Sequence, residues 1–410
     1  MKLGAVWKKH HLKVSSFPKV NPCDLELRNS GMVCICCSER KIFSFLWDSK
    51  PPKVKNEVIT NSVEKGGLKV PHVDSFVRAQ KAIWAKRMCL NDNACWLQLF
   101  KTFIPEMKIQ DLLKCHINSD NITHDMPLFY RQVLCAWFDL KDEPKNALDI
   151  ARETVWLNKY ITINEECLFY KKLYQNGLLL VSDLLAETGK FLTHDEFQAK
   201  FNVTITHLFV MSLIDAIPVQ WRRQLKHFNA TAVNNAELPY LKINDSQRAI
   251  LLLSSKDVYR QILRPKEGTP SCIENWNKRL ADTKVSFDEW KQIFCLPKDT
   301  VRETRVLEVQ FKILHRCYAT RSKVNKWDAT VSPLCTVCKE KANIVHDFYT
   351  CPQVQNFWQK VCEMLSRLCH YQVIELSLRD IIMGKPGVKH DVLNHVLLYA
   401  KYHIHKQICK

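Results

Sequence analysis

Cys335-Thr336-Val337-Cys338, with His346 and Cys351 downstream, reads Cys-x2-Cys-x7-His-x4-Cys: three thiols and one imidazole within 17 residues. Zinc takes four such ligands tetrahedrally, and a Cys-x2-Cys pair puts two thiolates on one tight turn. Pro333 opens that turn, and Pro352 is expected to block continuation past the last ligand. With Cys335, Cys338, His346 and Cys351 all ligating one Zn2+, no position is left for water, so the expected role is structural rather than catalytic. The competing reading is chance register among 18 cysteines. The others are worse placed: Cys34, Cys36 and Cys37 crowd together without a nearby histidine, and Cys115-His116 is an isolated pair.

Outward from this stretch, 410 residues suffice for two or three domains and a sizeable core. A composition of 46% hydrophobic and 25% charged residues is that of a globular chain. The 9 glycines argue against Gly-rich phosphate loops, and neither a dinucleotide fingerprint nor a P-loop motif is present. No apolar run approaches the ~20 residues that cross a bilayer, so no membrane partner is expected. Residues 1–9 lack the apolar core of a signal peptide. The expectation is an intracellular protein, nuclear or cytoplasmic and not secreted, whose thiols bind metal or stay free. The net charge is +18, and residues 1–90 hold 17 Lys/Arg against 7 Asp/Glu, or +10 of it. Such an excess suits a polyanion, nucleic acid first among them, although a solvated basic face would look the same.

Along the chain, residues 1–40 show no periodicity and remain unassigned. Ile42, Phe43, Phe45, Leu46 and Trp47 form an apolar block that must be buried. The prolines of Lys50-Pro51-Pro52-Lys53-Val54-Lys55 forbid helix there. Gly66-Gly67 marks a turn. Asp74 and Ser75 are cap candidates for a helix carrying Phe76, Ala79, Ile83 and Met88 inward. Residues 91–300 read as mostly helical: Thr193…Glu196 and Ser286…Glu289 match the capping box, and Pro218 can open a helix. His194-x-Glu196 with a later Cys-x2-Cys matches a zinc-deaminase signature. The capping box accounts for Glu196, and Cys335 has better partners in His346 and Cys351, so that reading is rejected. Trp156, Phe169, Tyr170, Tyr174, Phe191 and Phe197 read as core. Over 301–318, Leu307, Phe311, Leu314 and Tyr318 share one arc, with Arg305, Lys312 and Arg316 within about 40° of one another opposite it. Arg321, Lys323 and Lys326 then lead into the metal turn; the stripe reads either as a phosphate-contacting surface or as the solvated face of an ordinary amphipathic helix. Helices are expected at 361–368 and 388–408, with Gly384 a C-cap between them.

Four stretches carry a resemblance to one family; two of them, 153–218 and the tail "LLYAKYHIHKQIC", resemble its connector and its C-terminal end. "FLWDSKPPKVK…EKGGLKVPHVDSFVRAQKAIWAKR" resembles the segment after the polymerase palm in reverse transcriptases of non-LTR (LINE-type) retrotransposons. "VRETRVLEVQFKILHRCYAT…PLCTVCKEKANIVHDFYTCPQVQNFWQKV" resembles their C-terminal zinc-binding segment, with its ligands at Cys335, Cys338, His346 and Cys351 and with Pro352 and Trp358 in place. The resemblance spans about 41–410. It implies a thumb-like region that grips template and primer, with Lys50, Lys53, Lys55 and Lys65 as nucleic-acid contacts. Family polymerases need an aromatic-x-Asp-Asp element, and the sequence has no Asp-Asp dipeptide. Neither that catalytic centre nor an endonuclease is found, so no enzymatic activity is expected.

The expected fold is mainly α and multi-helical, with a small structural zinc loop near the C-terminus. The expected divisions are an unassigned 1–40, a basic thumb-like region 41–110, a helical connector 111–299 and a zinc-binding domain 300–410. Two functions compete. One is a non-catalytic nucleic-acid-binding module for RNA, or for an RNA–DNA duplex, contacting it through Lys50, Lys53, Lys55, Lys65, Arg305, Lys312, Arg316, Arg321 and Lys323, with no small-molecule substrate. The other is a structural or protein-interaction protein, or a non-functional relic, whose zinc only holds the fold.

Overall fold

The structure, a computed structural model, describes residues 31–90, 94–104, 106–118, 126–230, 233, 237–280, 284–369, 375–387 and 391–408. Residues 1–30 of the unassigned segment lie outside the described residues, as do the side chains of Cys34, Cys36 and Cys37. The fold is mainly helical, and among the described residues the strands form two short antiparallel hairpins. Among the described residues no helix is long and apolar enough to cross a membrane. The chain divides into two compact units, and the cuts are not those read from the sequence. One unit joins the described residues through Val73 to those from Lys266 onward; the other is Asp74–Pro265.

The reason for the discontinuous unit lies in the apolar block. The Gly31–Trp47 helix ends where Asp48 and Ser49 adopt left-handed φ of 54° and 58°. Leu46 and Trp47 are buried as expected, while Phe45 is 45% exposed. Beyond the prolines, Asn56–Thr60 makes one helical turn, and Gly66 at φ 78° reverses the chain. At Gly67 the backbones meet so closely that a Cβ would stand 2.1 Å from the Asn61 carbonyl oxygen. The fold-back lets Leu68 N–H donate to Ile59 O at 2.9 Å. Leu46, Trp47, Ile59, Leu68 and Val70 then close over Phe311 and Cys317, far along the chain. That burial, at about 1.5–3 kcal/mol per large side chain, ties residues 42–70 to this unit.

The rest of the unit is a helical core. Helices Ser271–Arg279, Phe287–Thr300, Thr304–Leu314, Pro352–Cys369, Leu378–Met383 and Asp391–Ile408 enclose Trp276, Trp290, Ile313, Phe348, Trp358 and Leu397. Trp276 Nε1–H donates to Leu314 O at 2.8 Å, and Trp358 Nε1–H to Phe348 O at 2.8 Å. The Ser286/Glu289 capping box forms, and a second one unread in the sequence, Ser377/Asp380, starts the Leu378–Met383 helix that Gly384 ends. Pro352 opens a helix rather than ending one, because its missing N–H costs nothing at a first turn. The helix read over 301–318 spans only Thr304–Leu314. Val306, Leu307, Val309, Gln310, Phe311, Ile313 and Leu314 are all buried, since Phe311 faces one apolar cluster and its neighbours another.

The Asp74–Pro265 unit packs its short helices around Phe100, Trp137, Trp156 and Phe197. Trp137 and Trp156 donate their indole N–H to Leu113 O (2.9 Å) and Leu178 O (2.6 Å), as buried indoles require. The first long helix begins at Val73, earlier than its cap candidates, and turns Ser75, Ala79, Ala82, Ala85 and Met88 inward. Ala79 and Met88 are thus core as expected, Ile83 is half-buried, and Phe76, expected inside, is 49% exposed. The Thr193/Glu196 box and the helix after Pro218 form as read. Strands Tyr240–Ile243 and Ser246–Ala249 join through Asn244 and Asp245, both at positive φ as a two-residue hairpin turn demands.

Candidate metal centre and basic surface

The four predicted ligands come together: one donor atom from each of Cys335, Cys338, His346 and Cys351 lies within 4.8 Å of all the others. Two local structures do this. From Cys335 to Lys339 the chain makes a tight turn, with Cys335 N–H donating to Glu340 O at 2.7 Å and Lys339 at φ 60°. His346 and Cys351 bracket a single π-helical turn, His346–Thr350, whose i→i+5 closure, Cys351 N–H to His346 O at 3.0 Å, brings the two residues together. Asn343 Oδ1 caps that turn by accepting from Val345 N–H and His346 N–H at 2.9 and 3.1 Å. Cys338 Sγ stands 3.4 Å from His346 Nε2. Tetrahedral bonds of about 2.3 Å to sulfur and 2.0–2.1 Å to nitrogen would place such a pair about 3.5 Å apart. The donor set can therefore hold a metal ion, and Nε2 is the imidazole atom that faces it. Among the described residues Nδ1 is buried without a hydrogen-bond partner, and it lies 3.4 Å from Glu340 Oε2.

The thiols differ in how readily they ionise. Burial raises the Cys335 pKa, but Cys338 N–H, His346 and Val337 N–H outweigh it and bring it down to about 6. Cys351, buried, is pushed up instead, chiefly by desolvation. Asp347, next to His346, is raised to about 6 by burial, and its Oδ2 has no hydrogen-bond partner.

The predicted basic residues divide into two kinds. Some are bound into the fold: Lys65 pairs with Glu267, Lys312 with Glu308 at 2.6 Å, and Lys50 more loosely with Asp48 at 3.9 Å. Arg321 Nε–H donates to Ser332 O at 3.2 Å, bracing the metal loop. Arg305 and Lys55 are exposed, the latter just before the Asn56–Thr60 helix. Arg305, Lys312 and Arg316 do not form one helical stripe. The helix stops at Leu314, and Arg316, at φ 52°, reaches instead over the Trp276 ring and to Asn275 O at 3.2 Å.

A different grouping replaces the stripe. Lys323 Nζ donates to Arg316 O at 3.1 Å. Burial, and then the like charges of Lys53, Lys326 and Arg316 working against the Cys317 thiol, hold Lys323 below the usual lysine range. Cys317 itself, raised to about 11 by burial, senses Lys323, Lys312 and Lys53. Lys53 Nζ lies 5.9 Å from the centroid of the Trp327 ring, which is 59% exposed. Lys53, Arg316 and Lys326 thus all act on Lys323, with Lys53 near the exposed ring, and no carboxylate pairs with any of the four among the described residues. Lys53 and Lys323 are distant in sequence, so nothing local announces their meeting. Trp327 went unread, although a tryptophan beside lysine in the polar run Ser322–Thr330 is the signal that could have found it.

The polar cleft of the Asp74–Pro265 unit offers no comparable excess. Its charges are matched internally: Lys242 with Asp149 at 2.7 Å, Arg152 with Glu237 at 2.9 Å, and His116 with Glu153 at 3.1 Å. Of the aromatics read as core there, Trp156 and Phe197 are fully buried, Phe169, Tyr174 and Phe191 half-buried, and Tyr170 40% exposed. His194 is held by Ile205 O at 2.9 Å and Gln198, and Glu196 by its capping box.

Compared with known proteins, the chain matches no family model and no curated protein sequence.

Proposed function

We propose that this chain is a non-catalytic nucleic-acid-binding module, the thumb-like region through the zinc-binding domain of a non-LTR retrotransposon reverse transcriptase, with RNA as its partner. The observation that carries the reading is the convergence of Lys53, Arg316, Lys323 and Lys326 without carboxylate partners. Like charges so close raise one another's energy, and a phosphate backbone relieves that while releasing its own counterions. The metal is one Zn2+, since three thiolates and an imidazole suit it and four protein ligands leave no site for substrate. Its role is to pin the loop beside the basic surface. Lys65 and Lys312 are engaged by Glu267 and Glu308, and Lys50 only loosely by Asp48. The resemblance of residues 41–410 to the LINE-type segments supports the family assignment, and the missing Asp-Asp dipeptide supports a role without polymerisation.

A triple variant, Lys53→Gln/Lys323→Gln/Lys326→Gln, tests this by fluorescence anisotropy with a labelled single-stranded RNA. Each lost phosphate contact lowers the slope of log K against log salt by about 0.7, so the slope should fall by about 2, with weaker binding throughout. Unchanged affinity and slope would overturn the proposal.

A further inference from the structure

We infer that Trp327 is a stacking platform for an unpaired base, so the basic surface takes single-stranded nucleic acid in preference to duplex. The inference rests on the nucleic-acid reading above and specifies the form of the ligand. Trp47, Trp137, Trp156, Trp221, Trp276, Trp290 and Trp358 are all buried, and Trp84 and Trp96 are half-buried. Trp327 alone among the described tryptophans stands exposed. Its exposed indole, with a lysine beside it, offers a ring face to a ligand.

The turn that carries the ring is braced by hydrogen bonds. Trp327 N–H donates to Val324 O at 3.0 Å, and Asp328 N–H to the same carbonyl at 3.0 Å. Asn325 Nδ2–H bonds Val331 O at 3.0 Å, and the Asp328 carboxylate accepts from Thr330 N–H at 3.1 Å and from its hydroxyl. Two further bonds fasten this turn to the metal loop: Ser322 N–H to Ala342 O and Arg321 Nε–H to Ser332 O, both 3.2 Å. The metal loop thereby braces the platform. Asp328 is the acidic residue next to the ring, and Thr330 keeps its carboxylate below the usual range.

The chemistry points to one form of nucleic acid. Lys53 lies near the ring face, Lys326 is the ring's chain neighbour, and both act on the charge of Lys323. Cations next to an exposed aromatic let the backbone phosphate sit on the charges while its base lies on the indole. Bases inside an A-form helix already stack on each other and cannot reach an indole, whereas those of a single strand can splay outward. Stacking reads no base edge, so the preference is for strandedness and not for sequence.

The test compares wild type with Trp327→Ala and Trp327→Phe on a single-stranded RNA, the same strand with abasic positions, and its duplex. Circular dichroism and metal content verify that each variant folds. The expected result is tighter wild-type binding to the single strand and a roughly 5- to 150-fold loss of it in Trp327→Ala. Trp327→Phe should keep most of the affinity, the abasic strand should bind wild type more weakly, and duplex affinity and salt slope should not change. Equal wild-type binding to strand and duplex, or an alanine variant that loses both alike, overturns the stacking role while the basic surface stands. Absence of binding to any of the three overturns the nucleic-acid reading itself.

Discussion

Replacing Cys338 by serine should release the metal and unfasten one segment while the rest of the unit stays folded. The magnitude follows from what else could hold that segment. Of the 24 residues 321–344, only Ala342 is buried. One methyl contributes about 1 kcal/mol, against an ordering cost of roughly 1–2 kcal/mol for each residue fixed. Backbone bonds such as Cys335 N–H to Glu340 O and Ala342 N–H to Pro333 O do not close that gap alone. A structural metal contributes an apparent ~10–16 kcal/mol. A local loss of even about 3 kcal/mol speeds amide exchange more than 100-fold. Hydrogen exchange with mass spectrometry, beside a metal assay, should therefore show residues 333–344 deprotected in Cys338→Ser. Helices Phe287–Thr300 and Pro352–Cys369 should stay protected, because Trp290, Phe348 and Trp358 bury without the metal. Stoichiometric metal in the variant, or equal protection of 333–344 with and without metal, would refute the reasoning.

Two further predictions concern buried ionisable groups. His315 is brought down to about 4, by burial first, with a bond to the Gly66 backbone opposing, and it stacks on Phe294 and Phe311. Its ring is neutral in both states above pH 6.5; between about 6.5 and 4 the unfolded chain takes up a proton the folded one refuses, so stability falls with pH. At pH 5 that loss is about 2 kcal/mol relative to pH 7, and urea melts of His315→Phe should lack it; the same pH slope in both proteins contradicts the assignment. Lys401 is buried and lowered to about 7 by desolvation, with one bond to Ile382 O at 3.4 Å. The cost of keeping it grows as pH falls from about 10.5 to 7, so Lys401→Met should gain on the order of 3 kcal/mol at pH 7, with Gln310 still satisfying Ile382 O at 2.8 Å. A destabilised methionine variant would show that the ammonium is compensated.

What could be read from the sequence was local. The capping boxes at Thr193 and Ser286 need only residues three apart, and the metal ligands only 17 residues of spacing. The features that depend on distant packing were hidden. Phe311 and Cys317 receive Leu46 and Trp47, which draws the chain's early residues into the C-terminal unit and buries a helix expected to show a basic face. The charged surface exists because Lys53 arrives beside Lys323, and no window of sequence contains both. Which imidazole nitrogen faces the thiols is likewise set by the π-helical turn at His346, invisible in spacing alone.

If Lys53, Arg316, Lys323 and Lys326 bind phosphates, the salt dependence of RNA binding shows it most directly. Four contacts to a single strand give a slope near −3, so raising salt from about 50 to 200 mM should weaken binding on the order of 50-fold. An affinity that changes less than about threefold over that range would contradict it.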